Sequence, residues 1–478
     1  MLIRQIMDEK LAQYAFLVGC QRTGEAIVVD PERDVDRYVD LAASEGLRIV
    51  AVAETHIHAD FLSGARELAA AIPGLRVYLS DEGDEAWKYA WPAADGVNVT
   101  WLRDGTTFQV GKIEFRAVHT PGHTPEHVSF VVTDFGGGAT EPMGVLSGDF
   151  VFVGDLGRPD LLESAAGIAG AMEPAARRLF ASTRRFLELP DFLQVWPAHG
   201  AGSACGKALG AVPITTVGYE RRMSPAIAAS EAGEQTFVEY ILSGQPEPPL
   251  YFAAMKRLNK TGPPVLGTLP APRRLSAEEM RDLAKAGQVQ ILDTRADRQA
   301  FFAAHVPGSF YAPINKAFPT VVGSLLDPER AIVLLADEAS VDEAVRAMIR
   351  IGYDRIAAWA PPSVIDELGA GGMQLARIES IDFDEFERRR SREPLNVLDV
   401  RGATEYAVRH IPDARNISHT RLRARAAEVP RDRPVYVHCL SGARAAASAA
   451  FLAHMGVPVV DVDGNFSSWE PAAVEQRG

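Results

Sequence analysis

The tightest constraint on this chain is that its C-terminal part is written twice. ILDTR at 291–295 returns as VLDVR at 397–401, so that Asp399 lies 106 residues after Asp293. AAHVPGS at 303–309 returns as VRHIPDA at 408–414, with His410 lying 105 residues after His305, and AIVLLA at 331–336 resembles PVYVHC at 434–439. Gly456 follows Gly352 by 104. A spacing that drifts so little is what a duplicated small domain leaves behind. Each copy alternates apolar strands with amphipathic helices, the pattern of a mostly parallel sheet covered on both faces. A chain of 478 residues suggests about three domains at roughly 150 residues each. The expected organisation is a large domain over 1–245, a proline-rich connection over 246–274 in which a helical turn at YFAAMKRLN (251–259) stays open, and the two copies over 275–373 and 374–478.

The large domain also alternates strands and helices. Strands are expected over 14–18, 26–29, 48–53, 113–118, 128–133, 143–147 and 193–196, and helices over 63–72, 171–187 and 222–231. Hydrophobic residues make up 47% of the chain and charged residues 23%, enough apolar material for buried cores. A net charge of -14 argues against general nucleic-acid binding and against an anionic membrane surface. No uncharged apolar run approaches the ~18 residues of a membrane span. Asp8, Glu9 and Lys10 interrupt the N-terminal apolar stretch, which reads as strand, turn and strand and not as a signal peptide. Three cysteines cannot build a disulfide framework, so a reducing, cytoplasmic setting is expected. A homo-oligomer is also expected.

Six of the eleven histidines fall before residue 200. His56, His58 and Asp60 (AETHIHADFLSG) follow an apolar strand, and His119, His123 and His127 (HTPGHTPEH), Asp149 (LSGDF) and His199 (WPAHG) follow others. Imidazoles and carboxylates gathered from several strand ends can converge on one divalent metal. Pro121 and Gly122 forbid a helix between the histidines of the second group, so their spacing is not a helical ligand face. Taken singly, His119 and His127 read better as structural residues. Arg158 and Asp160 (GDLGRPDL) read equally as groups that orient a substrate or ligand and as a surface turn salt bridge.

This pattern resembles the metallo-β-lactamase superfamily, an αββα sandwich, over about residues 1–245. Within it, ETHIHADFLSG, TPGHTPEH, SGDFVFVGDLGRPDL and PAHGAGSACGK look like the persulfide dioxygenases. Two-metal hydrolases of that fold usually read H-x-H-x-D-H, whereas Phe61 stands at the last position here. The resemblance implies one Fe(II) per chain held by His56, His123 and Asp149. His58, Asp60 and His199 would orient ligands or substrate. It implies oxidation of a low-molecular-weight persulfide (of glutathione or coenzyme A) by O2 to sulfite.

Cys439 follows the apolar run VYVH and opens Cys-Leu-Ser-Gly-Ala-Arg before an alanine-rich helix. Leu440, Ser441, Gly442 and Ala443 would form a loop whose backbone N–H groups, with Arg444, stabilise a thiolate. With LDVR and RHIPDA, this loop makes the last hundred residues resemble a rhodanese domain. Such domains carry sulfur as a cysteine persulfide and exchange it with thiols, sulfite or thiosulfate. Leu440 occupies a position that family often fills with arginine. The middle copy reads LADEASV in place of HCLSGAR, with Ala336 at the cysteine position, so it is expected to be a silent rhodanese-like module. Cys205, in GAGSACGKALG, is open between a place at the mouth of the metal site, aided by Lys207, and an incidental cysteine; Cys20 reads as incidental. The arginine-rich stretches 385–394 and 421–433 read first as solvated faces.

The expected architecture is therefore α/β: an αββα sandwich, then two rhodanese-like domains with parallel sheets. The expected function is persulfide dioxygenase and thiosulfate sulfurtransferase chemistry in sulfide detoxification. The alternatives are a glyoxalase II-like thioester hydrolase with a fused sulfurtransferase, and a non-enzymatic sulfur carrier with a structural metal.

Overall fold

A computed structural model describes residues 1–165 and 167–469, so the last residues of the 374–478 copy lie outside the described part. The chain divides into two compact units: Met1–Leu269 with Ile349–Gly352, and Pro270–Met348 with Tyr353–Gly478.

The first unit is built on two six-stranded sheets. In one, Leu2–Asp8, Gln13–Cys20, Glu25–Val29, Arg48–Ala53, Arg76–Ser80 and Val99–Leu102 lie side by side in chain order. The other is ordered Thr215–Thr216, Gln194–Pro197, Gly144–Gly148, Val128–Asp134, Ile113–His119, Thr107–Val110. The alternation of side chains decides how they stack. Phe16, Val18 and Tyr78 of the first sheet meet Phe108, Phe115, Phe130 and Trp196 of the second in one buried cluster. The opposite faces carry helices. Leu17, Val28 and Val52 pack beneath Asp36–Ser44 and Ala65–Ala71, while Val131, Val145 and Val195 pack beneath Met172–Phe186 and Glu234–Leu242. Helix, sheet, sheet, helix is the αββα order the sequence suggested.

Two expectations are corrected. The helix expected over 222–231 is two helices, Val217–Met223 and Pro225–Ala232, because Pro225 cannot donate into the preceding turn and starts a new helix instead. The stretch 246–274 holds more than the helical turn left open at 251–259. It holds helix Phe252–Thr261, with Phe252, Met255 and Asn259 buried, and the first unit runs through it to Leu269. Its prolines flank that helix and do not interrupt it.

The second unit contains the repeat. Its two five-stranded sheets have the same order and are parallel throughout. One runs Arg273–Arg274, Ile356–Ala360, Ile332–Leu335, Gln290–Asp293, Phe310–Tyr311; the other runs Glu379–Asp382, Val459–Asp463, Val435–His438, Asn396–Asp399, Arg415–Asn416. The repeated motifs have a structural reason. Arg295 Nη2 donates to Asp293 (2.7 Å) and to the Ala304 carbonyl (2.8 Å), as Arg401 does to Asp399 (2.6 Å) and the Arg409 carbonyl (2.7 Å). His305 stacks on Phe301 and His410 on Tyr406, each with Nδ1 against that residue's carbonyl. Each clamp ties a central strand end to the end of the following helix. Among the described residues no helix is long and apolar enough to cross a membrane.

Candidate metal centre and sulfur-carrying loop

Strand ends position every group of the metal constellation. His56 and Asp60 lie in the loop after Arg48–Ala53, His123 lies between Ile113–His119 and Val128–Asp134, Asp149 directly follows Gly144–Gly148, and His199 follows Gln194–Pro197. All are buried. His123 Nε2 lies 3.4 Å and His56 Nε2 4.0 Å from Asp149 Oδ2. On the other side of the same carboxylate, His199 Nε2 is 3.3 Å from Asp149 Oδ1 and 3.3 Å from Asp60 Oδ2. Among the described residues none of these ring nitrogens has a hydrogen-bond partner, and the carboxylate oxygens have none beyond the Cys205 thiol beside Asp149.

Their rear hydrogen bonds fix the tautomers. His123 Nδ1 meets the Arg158 carbonyl at 3.1 Å and His199 Nδ1 the Ala12 carbonyl at 3.1 Å. A carbonyl only accepts, so both Nδ1 atoms carry the proton and both Nε2 atoms present an electron pair. His56 follows by one more step. Thr55 Oγ1 gives its proton to Asp30 Oδ2 (2.8 Å), so it accepts from His56 Nδ1 (2.9 Å) and leaves Nε2 bare. Burial also pushes the pKa of His123 down to about 4 and that of His56 well below its usual value, while pushing Asp149 up to about 6. Bare lone pairs facing a desolvated carboxylate are what a divalent cation relieves. Two imidazoles and one carboxylate suit a borderline metal such as iron(II) or zinc(II).

His58, Arg158 and Cys205 take definite places. His58 turns away from Asp149, its Nε2 lying 2.8 Å from Glu54 and 3.3 Å from Asp30. Arg158 is buried and not part of a surface turn. It donates to both oxygens of Asp160 (2.8 and 2.5 Å) and to the Ala204 and Pro246 carbonyls (2.9 and 2.7 Å), while its own carbonyl seats His123. Cys205 is buried beside Asp60 and His199, close enough for the three to share an ion. Burial, reinforced by Asp60 and Asp149, pushes its thiol well up. Phe61 is buried and tilted against the His58 ring at 4.3 Å.

Four supporting residues escaped the sequence reading: Thr55, Asp30, Glu54 and Asn259. Asp30 takes a left-handed backbone (φ 52°) to accept from both Thr55 N–H and Thr55 Oγ1. An aspartate just beyond a strand, in VVDPE, is the one signal available for it. His127 is structural, as expected: its Nε2 accepts from the Asp149 N–H (3.0 Å), and its Nδ1 faces Thr120 Oγ1 (2.8 Å). Gly148 permits this contact, because a β-carbon there would lie 2.6 Å from both His127 Nε2 and Thr55 Oγ1. His119 Nε2 meets the Pro125 carbonyl at 2.8 Å, and Cys20 accepts from Lys112 N–H (3.3 Å). Lys207 lies over the Tyr240 ring, its nitrogen 3.9 Å from the centroid.

In the second unit, Cys439 follows strand Val435–His438, and Gly442 opens helix Ala443–His454 from a left-handed backbone (φ 87°). That turn brings Gly442 N–H to 3.2 Å from Cys439 Sγ. Leu440 and Ser441 form its exposed rim. Arg444 stands beside the sulfur and is held bidentately by Glu405 at 2.6 and 2.8 Å. In the middle copy the matching strand Ile332–Leu335 leads to buried Ala336 and the acidic turn Asp337–Glu338, so no thiol is present at that position.

Residues 9–199 match the metallo-beta-lactamase superfamily, and residues 382–472 match the rhodanese-like domain. The chain is 26% identical to the bovine (Bos taurus) persulfide dioxygenase ETHE1, mitochondrial, covering 48% of this chain and 77% of that protein. It is 32% identical to a hydroxyacylglutathione hydrolase of Gloeobacter violaceus, covering 39% of this chain and 63% of that one. A crystal structure of a metallo-beta-lactamase from Staphylococcus aureus is 37% identical, with a TM-score of 0.66, covering 76% of this chain and 98% of that chain. Through its first unit the chain belongs to the metallo-beta-lactamase superfamily, and it carries a rhodanese-like domain toward its C-terminus.

Proposed function

We propose that the first unit is a persulfide dioxygenase and that Cys439 is the sulfur carrier of a thiosulfate sulfurtransferase. The observation that carries the first half is the set of bare Nε2 atoms of His56 and His123 converging on Asp149. Relatives named persulfide dioxygenase support it. The reaction is RSSH + O2 + H2O giving RSH, sulfite and two protons. One iron(II) per chain, held by His56, His123 and Asp149, would supply the electron-transfer chemistry that dioxygen requires. The protein's part is positional. The Arg158 carbonyl and the Thr55–Asp30 pair aim two imidazoles, His127 fixes the backbone of Asp149, and burial desolvates its carboxylate. Asp60, His199 and Cys205 line the other side of Asp149, where a persulfide terminus would meet hydrogen-bonding groups.

In the second unit the Cys439 thiolate would take the outer sulfur of thiosulfate and release sulfite; in the reverse direction it would take the outer sulfur of RSSH, releasing RSH, and pass that sulfur to sulfite to give thiosulfate. The Gly442 N–H and Arg444 would hold the anionic sulfur.

A second reading has one observation in its favour. Asp60, His199 and Cys205 form a further three-donor group beside Asp149, as a two-metal thioester hydrolase would need. The deciding experiment loads the full chain with iron(II), counts metal per chain, and follows oxygen and sulfite with glutathione persulfide and coenzyme A persulfide. One iron per chain with equimolar oxygen uptake and sulfite release is expected. Two metals per chain with thioester hydrolysis and no oxygen uptake would replace this reading by the second.

A further inference from the structure

The middle repeat lacks a thiol, yet it touches the loop that holds one. A β-carbon on Gly442 would strike the Asp463 carboxylate and approach Arg298 Nη2 to 2.8 Å. The ion pair between Arg298 of the middle repeat and Asp463 of the last (2.6 Å) is therefore seated on the residue whose N–H reaches Cys439 Sγ. Gln299 Nε2 and Gly464 N–H hold the same carboxylate at 2.9 and 2.8 Å. Arg298 is the first residue of helix Arg298–Ala303, which Asp297 caps, so the backbone of the middle repeat dictates where the guanidinium stands. It engages Asp463 through Nη2 alone, and its side chain stays 33% exposed. Its Nε and Nη1 have no partner among the described residues.

Two other arginines of the last repeat are held through more than one nitrogen. Arg444 is bidentate on Glu405, Arg401 is clamped on Asp399, and Leu440 on the rim is apolar. Arg298, held by Asp463 through one nitrogen, keeps donors to spare beside the loop, and a planar fork suits an oxyanion.

We propose that Arg298 is a specificity-determining residue of the Cys439 site, binding the sulfonate oxygens of thiosulfate and sulfite. The middle repeat then completes the site of its neighbour. The inference rests on the transferase reading of Cys439. The Cys439 thiolate forms a bond to the outer sulfur of S2O3²⁻, the S–S bond of thiosulfate breaks, and its electron pair leaves with SO3²⁻. Both sides carry three negative charges, so thiolate and thiosulfate repel each other on approach, and a cation beside the loop lowers that repulsion.

The test compares Cys439 alkylation by anionic iodoacetate and neutral iodoacetamide in the full chain, read by mass on the Cys439 peptide, with thiosulfate–cyanide kinetics alongside. Arg298→Gln is expected to lower the iodoacetate-to-iodoacetamide rate ratio about threefold or more, leaving the iodoacetamide rate unchanged. It should raise KM for thiosulfate by a similar factor, with kcat within about twofold. Arg298→Lys, which keeps the charge, should preserve most of the ratio. An unchanged ratio in Arg298→Gln overturns the proposal. So does an equal slowing of both reagents in Arg298→Gln and Arg298→Lys, since that marks a residue which only shapes the loop. If the wild-type chain transfers no sulfur but the ratio still falls in Arg298→Gln, the anion site stands and the transferase reading fails.

Discussion

His438, the residue before the proposed sulfur carrier Cys439, is buried, its ring stacked on Phe466 at 5.0 Å and edge-on to Phe383. Burial pushes its pKa down to about 4, although Asp399 at 3.6 Å pulls the other way and Arg401 adds to the lowering. In the unfolded chain it titrates at its ordinary value of 6.5. Between those two values the unfolded chain binds a proton that the folded chain does not, so stability falls as pH falls through that window. The full drop is ~3 kcal/mol at about 1.4 kcal/mol per pKa unit. Urea unfolding followed by far-ultraviolet circular dichroism should show wild type losing stability between pH 7 and pH 5, and His438→Gln losing clearly less. Equal losses in both would remove His438 as the source. Cys439 itself gives a sharper contrast. Cys439→Ser should keep oxygen uptake with persulfide within about twofold and lose thiosulfate exchange by at least ~100-fold, since a hydroxyl is a far poorer sulfur nucleophile. Retained exchange would move the carrier role elsewhere.

At the scale of elements, helix Phe252–Thr261 has the largest unforeseen effect on the metal loop. Asn259 Oδ1 accepts from Ser63 N–H (2.9 Å), and its Nδ2 donates to the carbonyls of His58 (2.8 Å) and Phe61 (2.7 Å). One buried amide therefore closes the loop that carries His56, His58 and Asp60. Asn259→Ala would leave two carbonyls and one N–H unsatisfied, a cost of about 2–3 kcal/mol. It should also weaken metal binding about tenfold, as removal of a group that positions ligands does. Urea unfolding and competitive metal titration check the two numbers, and a variant matching wild type in both would reduce Asn259 to a bystander. The strand ends and the histidines on them were legible because H-x-H-x-D, TPGH, GDF and PAHG each end an apolar strand, and chemistry there demands particular residue types. The role of this helix was not legible. Its amide acts across roughly two hundred residues of sequence, and the prolines at 246, 248, 249, 263 and 264 make the text read as a connection. Thr55 and Asp30 were hidden similarly, since a threonine and a strand-end aspartate are ordinary until the fold aligns them behind His56. The repeat was legible as topology, because Asp-x-Arg and His-x-Pro clamp each sheet to its helix. That Arg298 of one copy lies on the loop of the other was not, because no motif marks it.

At the scale of the whole molecule, each unit holds all the residues of its own proposed site. His56, His123, Asp149, Asp60, His199 and Cys205 all belong to the first unit, and Cys439, Arg444, Glu405, Arg298 and Asp463 all belong to the second. The species linking them in the proposed function is sulfite, a small soluble anion that needs no covalent carrier. If sulfite passes through solvent, the two half-reactions need not share a chain. His123→Ala, which removes one proposed ligand, should abolish oxygen uptake yet retain thiosulfate exchange, while Cys439→Ser should do the reverse. An equimolar mixture of the two variants, given persulfide and oxygen, should then form thiosulfate at a rate approaching that of wild type once free sulfite exceeds the KM of the exchange step. Tethering adds only a local concentration of about millimolar order, which accumulated sulfite overtakes. The early time course carries the discrimination. A lag that shortens as protein concentration rises is what diffusion predicts, and an added sulfite trap should suppress thiosulfate in the mixture and in wild type alike. Wild type that forms thiosulfate without a lag and resists the trap, beside a mixture that forms none, would mean that sulfite is handed over within one molecule.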